Sequence, residues 1–180
     1  MSRLTQGITI EEFEQLPNAL AVNHELVDGE LVDVSGNTLG HNRFRDMLSA
    51  RLSTYVRQHK LGSVISEQEY DFDGNAHGPD VTFFGPEKMI LADEKLRVQR
   101  FVPDLAIEIV SKSDTFEKLI EKAHRYRRCG TKEVWIFSID SREAYVYSAG
   151  RRAILDENAL FQSSLITGFA IRIGELFDRL

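Results

Sequence analysis

Two carboxylates and a lysine have the residue types and the spacing that could do chemistry together. Asp80 follows Pro79 at the start of a short apolar strand, Glu108 lies inside an apolar segment, and Lys122 lies in a helical segment further along. Carboxylate oxygens on neighbouring strands are the hard ligands that Mg²⁺ or Mn²⁺ prefers. A nearby ammonium can orient water or stabilise the charge that develops on a reacting phosphate. These residues therefore suit metal-dependent phosphodiester hydrolysis.

Glu108 interrupts the most strand-like segment of the chain, 102–110. Side chains of a strand alternate between two faces, so Glu108 shares a face with Ala106 while Ile107 and Ile109 point the other way. A buried carboxylate needs a cation, a metal or hydrogen-bond donors to offset its cost. The alternative is an edge strand that leaves Glu108 in water.

Lys122 is placed by helical periodicity. Each helical residue turns the chain by roughly 100°, which puts Lys122 on the flank of the apolar face and beside Tyr126. From there its stem can follow the sheet and deliver the ammonium to the sheet's edge. The alternative is an ordinary surface lysine. The apolar face itself consists of Phe116, Leu119, Ile120 and Ala123.

The elements that must position these residues follow from apolar patterning and turn signals. Asp28-Gly29 can adopt the positive φ angles of a two-residue turn, which predicts a hairpin over 24–34. Capping boxes at Thr9 and Asp114 predict helix starts, and Gly130 suits the end of the second of these helices. The chain then predicts an α/β (mixed α+β) fold with helices packed on a mixed sheet. The predicted helices are 10–16, 41–58 and 113–129, and the predicted strands are 63–72, 81–84, 102–110, 133–139 and 144–147, with strand-like pieces near Ile154 and Ile171.

Composition is that of one globular domain spanning 1–180. Hydrophobic residues make up 42% and charged residues 28% of 180 residues, and no apolar run approaches the ~20 residues of a membrane span. The start of the chain is polar and has no signal-peptide core, so a cytoplasmic location is expected. The single cysteine, Cys129, excludes an internal disulfide and a multi-cysteine zinc site. The five histidines lack metal-ligand spacing, and phosphate-loop, dinucleotide and Ser-His-Asp signatures are absent.

The net charge of −6 argues against coating of nucleic acid through bulk positive charge. A nuclease remains compatible with it, because a metal site needs clustered carboxylates and the basic residues can be local. Two local basic clusters exist, and each taken alone is explained as the solvated face of a helix. They are Arg43, Arg45, Arg51, Arg57 and Lys60, and Arg125, Arg127 and Arg128.

Several short segments between about residues 25 and 177 follow one another in a specific order and spacing. They are 25–31, His41 at the start of the long helix, 79–81, 103–111, 113–114, 122–126, Gly130, 133–137, 168–169 and 176–177. In these segments the chain resembles the Uma-type restriction endonucleases, a branch of the PD-(D/E)XK nuclease superfamily.

The resemblance implies a restriction-endonuclease-like central mixed β-sheet flanked by helices, acting on DNA, with homodimerisation as a family-level expectation. It implies Asp80 and Glu108 as ligands of Mg²⁺ or Mn²⁺. The superfamily lysine usually lies two residues after the acid, where this chain has Val110, so the resemblance points to Lys122 instead. The chain also departs from the family pattern at Lys112, where proline is frequent.

Two further residues match family positions, and each of them also has an interpretation without a role in the chemistry. Glu25 corresponds to an additional acid that could bind the metal directly or through water, or it is a solvent-facing hairpin residue. His41 could approach the site, since a helix N-terminus also attracts phosphate, or it has no chemical role.

Two other functions are compatible with the sequence. One is a nuclease-fold module with weak or lost cleavage that binds DNA or a protein. The other is a structural dimer without substrate. In any of these cases a row of exposed apolar residues at the C-terminal end, Leu176, Phe177 and Leu180, could form an interface.

Overall fold

The computed structural model describes residues 7–111 and 115–178. In chain order the helices of this part are α1 (Ile10–Glu14), α2 (Asn18–Ala21), α3 (Leu39–Gln58), α4 (Pro86–Met89), α5 (Phe116–Arg128) and α6 (Ile173–Phe177). The strands are β1 (His24–Val27), β2 (Glu30–Asp33), β3 (Ser63–Ser66), β4 (Glu69–Asp71), β5 (Ala76–His77), β6 (Val81–Phe84), β7 (Val98–Gln99), β8 (Leu105–Ile109), β9 (Glu133–Ser138), β10 (Glu143–Ser148), β11 (Arg151–Leu155), β12 (Leu160–Gln162) and β13 (Ala170–Arg172). None of these helices is both long enough and apolar enough to span a membrane.

The centre of the fold is a six-stranded sheet with the order β11-β10-β9-β8-β6-β3. Strands β8 and β9 are parallel, and the other neighbours in this sheet are antiparallel. Helix α5 connects the parallel pair, as a crossover connection between parallel strands requires. The predicted mixed sheet flanked by helices is confirmed.

Strand β8 is buried on both faces because helices cover the sheet from both sides. Ile107 and Ile109 belong to the core that includes Phe44 of α3, whereas Ala106 belongs to the core that includes Ala123 of α5. The predicted alternation of faces is therefore confirmed. The edge-strand alternative for Glu108 is wrong, since β8 has neighbours on both sides and Glu108 is only 6% exposed.

The predicted hairpin is also confirmed, and it belongs to a second, five-stranded sheet with the order β2-β1-β5-β4-β7. Asp28 and Gly29 have φ angles of 51° and 82°, as the turn requires. Strand β1 pairs with β5 through Leu26 and Ala76. This pairing places the hairpin next to residues about fifty positions further along the chain.

The prediction of one continuous strand over 63–72 is wrong. The chain forms β3 in the six-stranded sheet and β4 in the five-stranded sheet. Between them Glu67 has a φ of 54°, a left-handed conformation that redirects the backbone. One residue thus transfers the chain from one sheet to the other.

The predicted capping box at Thr9 is confirmed, whereas the two long helices begin at other residues than predicted. Thr9 and Glu12 form the expected capping box. Helix α3 begins at Leu39, two residues earlier than predicted, because the Thr38 side chain caps it. The Thr115 side chain caps α5. The predicted helix opening at Ser113-Asp114 and the departure at Lys112 lie outside the described residues.

The prediction of an exposed apolar row at the C-terminal end is wrong for Leu176 and Phe177. Both side chains are buried in the core beneath α3, and the Phe177 ring lies 5.2 Å from the Phe44 ring, centroid to centroid. Amphipathic helix α6 uses these residues to cover the central sheet. Leu180 lies outside the described residues.

The connection from α3 to β3 depends on a glycine. Gly62 has a φ of +143°, and a Cβ added there would lie 2.1 Å from the carbonyl oxygen of Phe84. We expect Gly62→Ala to lower the free energy of unfolding by about 3 kcal/mol or more, since overpacking adds to the strain of a positive φ. Gly74→Ala is the matched control, because Gly74 also has a positive φ but open space around it. Gly74→Ala should lower the free energy of unfolding, measured by urea denaturation, by only about 1–2 kcal/mol. Equal losses in Gly62→Ala and Gly74→Ala would contradict the role of the clash with Phe84.

Candidate active site

Antiparallel pairing places Asp80 opposite Glu108. Strands β6 and β8 pair Val81 with Ile107, so one further step in the same register sets Asp80 against Glu108. Residues directly opposite in an antiparallel pair share a face and have Cβ atoms about 4.5–5.5 Å apart. The two carboxylates that the sequence singled out are therefore cross-strand neighbours.

Asp80 is held by donors on both of its carboxylate oxygens. The main-chain N–H of Ile109 donates to Oδ2 at 2.7 Å, and His41 Nε2 lies 3.3 Å from Oδ1. The same Nε2 lies 3.1 Å from the Ile109 carbonyl oxygen. Burial would lower the pKa of His41, but the hydrogen bond and the charge of Asp80 outweigh it and raise the pKa above its ordinary value. His41, buried in the first turn of α3, thus fixes the position of Asp80.

Glu108 combines burial with two partners from α5. The Tyr126 hydroxyl donates to Glu108 Oε1 at 2.6 Å, and Lys122 Nζ lies 3.3 Å from the same oxygen. Burial raises the pKa of Glu108 to about 7, against the lowering effect of Lys122, and the charges of Asp80 and Glu25 add to the rise. Glu108 can therefore exchange a proton near neutral pH.

Lys122 joins the two sheets. Its Nζ donates to Glu25 Oε1 at 2.9 Å in addition to its contact with Glu108, and only 21% of its side chain is exposed. Burial would lower the pKa of Lys122, but Glu108 and Glu25 raise it above its ordinary value. The surface-lysine alternative is excluded, because the ammonium lies between two buried carboxylates.

Glu25 is buried, so the alternative of a solvent-facing hairpin residue is excluded. Its carboxylate accepts from Lys122, from the main-chain N–H of Gly78 at 3.1 Å, and from His77 Nδ1 at 2.9 Å. Burial would raise the pKa of Glu25, but Lys122 and His77 outweigh it and lower the pKa to about 2. Glu25 is thus an ionised counter-charge for Lys122.

Sequence reasoning missed His77 and treated Tyr126 only as a neighbour of Lys122. Burial lowers the pKa of His77 below its ordinary value, so a neutral imidazole donates to Glu25. The Tyr126 ring lies edge-on to the His77 ring at 5.6 Å. Two signals were present in the sequence: His77 precedes Asp80 by three residues, and Tyr126 follows Lys122 by one helical turn.

All five residues singled out from the sequence line one cavity of about 350 Å³, together with His77 and Ser111. These five are Glu25, His41, Asp80, Glu108 and Lys122. Arg125 and Lys118 of α5 add positive charge to the lining. The lining also contains Asp33, Glu67 and Glu121, so its carboxylates outnumber its lysines and arginines. A bound divalent cation would offset this negative charge for a substrate that is itself negatively charged.

The donor set could hold a hard divalent cation. Within residues 7–111 and 115–178, no three His, Cys, Asp or Glu side chains are grouped as metal ligands. Mg²⁺, however, is commonly bound through one or two carboxylates plus water and substrate phosphate. Asp80 and Glu108, with the Ile109 carbonyl beside them, provide oxygen donors of this kind. The residues present therefore fit Mg²⁺ or Mn²⁺ completed by substrate.

Comparison with known proteins gives a family and a fold. The sequence profile of Uma2, described as "Putative restriction endonuclease", matches residues 10–174. Among curated proteins no match is found. A putative nuclease belonging to DUF820 from Anabaena variabilis ATCC 29413 shares the fold, with a TM-score of 0.84 and 21% identity over 95% of this chain and 98% of that one.

A DrdV–DNA complex has a TM-score of 0.41 and 19% identity over 62% of this chain and 10% of that one. The Uma2 match covers most of the chain, and family membership supports a nuclease function in general. The chain belongs to the Uma2 family of putative restriction endonucleases.

Proposed function

We propose that this protein is a divalent-metal-dependent endonuclease that hydrolyses phosphodiester bonds in DNA. The observation that carries the proposal is the position of Lys122, whose ammonium reaches Glu108 at 3.3 Å from the neighbouring helix. A lysine from α5 thereby compensates for Val110, which lies two residues after the acid. The family description as restriction endonucleases supports DNA as the substrate.

The side chains divide the work as follows. Asp80 and Glu108 would hold Mg²⁺ or Mn²⁺. Glu25 would bind the same cation, either directly or through a water molecule. When bound, the cation offsets the negative charge of the phosphate and activates water. Lys122 orients the attacking water and stabilises the charge that develops on the phosphate. His41 is a positioning residue, since it donates to Asp80 and to the carbonyl of Ile109.

A second function is favoured by one observation. Lys122 forms ion pairs with Glu25 and Glu108 that satisfy the carboxylates without a metal. This arrangement also suits a nuclease-fold module that binds DNA or a protein and cleaves weakly or not at all. The two functions differ in whether the carboxylates respond to a metal.

The test is a cleavage assay on supercoiled plasmid DNA with Mg²⁺, Mn²⁺ or EDTA. We expect nicking or linearisation with either metal and none with EDTA. Asp80→Asn should abolish cleavage, because it removes one anionic oxygen donor while keeping the shape of the side chain. Asp46→Asn is the matched control, since the Asp46 side chain is 73% exposed and should leave cleavage unchanged.

Each outcome decides between the functions. Cleavage by Asp80→Asn at the parental rate would contradict the proposed active site. A parent protein that neither cleaves DNA nor binds Mn²⁺ in calorimetry would favour the binding module. Cleavage of RNA and not of DNA under the same conditions would overturn the substrate.

A further inference from the structure

A basic recess lies on the other flank of α5 from the candidate active site. Its volume is about 570 Å³, and its lining contains four arginines and a histidine but no carboxylate. Two arginines come from α5 and two from β11, at positions far apart in the sequence. The charged lining residues are His124, Arg127, Arg128, Arg151 and Arg152.

Internal pairing does not explain this clustering. Across the described residues, Arg128, Arg151 and Arg152 have no carboxylate within ion-pair distance. Six other arginines of the chain do have such a partner: Arg45, Arg51, Arg97, Arg100, Arg125 and Arg142. A chain with 28 acidic and 22 basic residues thus leaves three guanidinium groups unpaired in one recess.

The helix dipole explains only part of the cluster. Arg127 and Arg128 lie in the last turn of α5, where positive charge is favourable, and Arg127 donates to the carbonyls of Thr131 and Lys132. Arg151 and Arg152 belong to a strand and gain nothing from that dipole. Arg152 instead stacks over the Tyr147 ring at 5.7 Å and lies 3.3 Å from His124 Nε2. These contacts orient a guanidinium without neutralising it.

Three cationic residues of α5 lead from the active-site cavity towards this recess. Lys122, Arg125 and Arg128 are spaced by three residues, so neighbouring Cβ atoms are about 5–6 Å apart. Lys122 and Arg125 line the active-site cavity, and Arg128 lines the recess. Arg125 pairs with Asp28 at 3.1 Å, but the Asp28 side chain is 73% exposed, and such a surface pair exchanges easily for phosphate.

We infer that the recess of His124, Arg127, Arg128, Arg151 and Arg152 binds the phosphate backbone of duplex DNA next to the segment in the active-site cavity. The inference rests on the proposed function for the identity of the polyanion. One DNA strand carries a charge about every 3.4 Å of helix axis, so a strand crossing α5 presents several phosphates to these cations. Guanidinium groups suit phosphate because they offer several donors in a fixed plane.

The test measures binding without cleavage. Fluorescence anisotropy of a labelled duplex, in EDTA and at several NaCl concentrations, compares the parent with Arg151→Ala/Arg152→Ala. We expect the dissociation constant to rise about ten-fold and the slope of log affinity against log salt to fall by about 2, one for each lost phosphate contact. The matched control is Arg57→Ala/Lys60→Ala, which removes the same charge from the exposed last turn of α3 and the turn that follows it. It should leave both quantities near the parental values.

Several results would overturn the inference. An unchanged affinity and salt slope in Arg151→Ala/Arg152→Ala would do so, as would an equal loss in the control. Inorganic phosphate that displaces the duplex more strongly than NaCl at equal ionic strength would assign the recess to free phosphate. Thermal unfolding by circular dichroism, with an unchanged midpoint, separates lost contacts from lost folding. Failure of the proposed function is distinct, since a protein that binds through the recess but never cleaves loses only the nuclease assignment.

Discussion

Glu108→Gln is expected to abolish DNA cleavage while making the folded protein more stable at pH 8. If Glu108 holds the metal as proposed, its removal takes away several kcal/mol of transition-state stabilisation, which corresponds to a loss of about 10³-fold or more in rate. Glutamine keeps the volume of the side chain, and its carbonyl oxygen can still accept from the Tyr126 hydroxyl. The loss of activity would therefore come from the charge and not from packing.

The gain in stability follows from the pKa of Glu108. Burial raises it from 4.5 to about 7 despite Lys122, and Asp80 and Glu25 contribute to the rise. Because the pKa of Glu108 is higher in the folded state, ionisation of Glu108 lowers the free energy of unfolding. This loss begins above pH 4.5 and is complete above pH 7. Glutamine carries no such cost, so Glu108→Gln should gain up to about 3 kcal/mol at pH 8 and nothing at pH 4.

The measurements are the rate of plasmid cleavage and urea denaturation at pH 4, 6 and 8. Glu94→Gln is the control, because Glu94 is exposed and is not among the residues that line the active-site cavity, so it should change neither quantity. Cleavage within ten-fold of the parental rate would contradict a metal-binding role for Glu108. A loss of stability at pH 8 would show that the ionised carboxylate stabilises the fold.

The sequence predicted those parts of the site that depend on the pattern within a single helix or strand. Strand alternation alone made Glu108 unusual, and helical periodicity alone put Lys122 on the flank of its helix. Both predictions need only the geometry of one element, and the structure confirms both placements. The mixed sheet and the hairpin at Asp28-Gly29 were predictable for the same reason.

The features that the sequence could not predict depend on distant contacts. Glu25 reaches the site because β1 pairs with β5, so its burial depends on Ala76 and His77 about fifty residues away. Leu176 and Phe177 looked exposed because the surface that covers them belongs to α3. The break between β3 and β4 depends on a left-handed glutamate, Glu67, and a non-glycine residue gives no compositional sign of that conformation.

Lys122→Met is expected to cost both stability and activity, through two separable effects. The Lys122 ammonium lies 2.9 Å from Glu25 and 3.3 Å from Glu108, and both carboxylates are more than nine-tenths buried. Breaking a buried ion pair by removing one partner typically costs about 3–5 kcal/mol, because the remaining charge is stranded. Cleavage should also fall by about 10²–10³-fold, the effect of removing one group that stabilises transition-state charge.

A second substitution separates these two effects. In Lys122→Met/Glu25→Gln, one of the stranded charges is gone, so much of the lost stability should return in urea denaturation. Cleavage should stay at the level of Lys122→Met or below, since glutamine cannot replace the ammonium. Lys118→Met, one turn earlier on the exposed side of α5, is the control and should keep the parental stability. If the double substitution recovers cleavage together with stability, Lys122 acts only as a structural counter-charge, and the nuclease proposal loses its catalytic lysine.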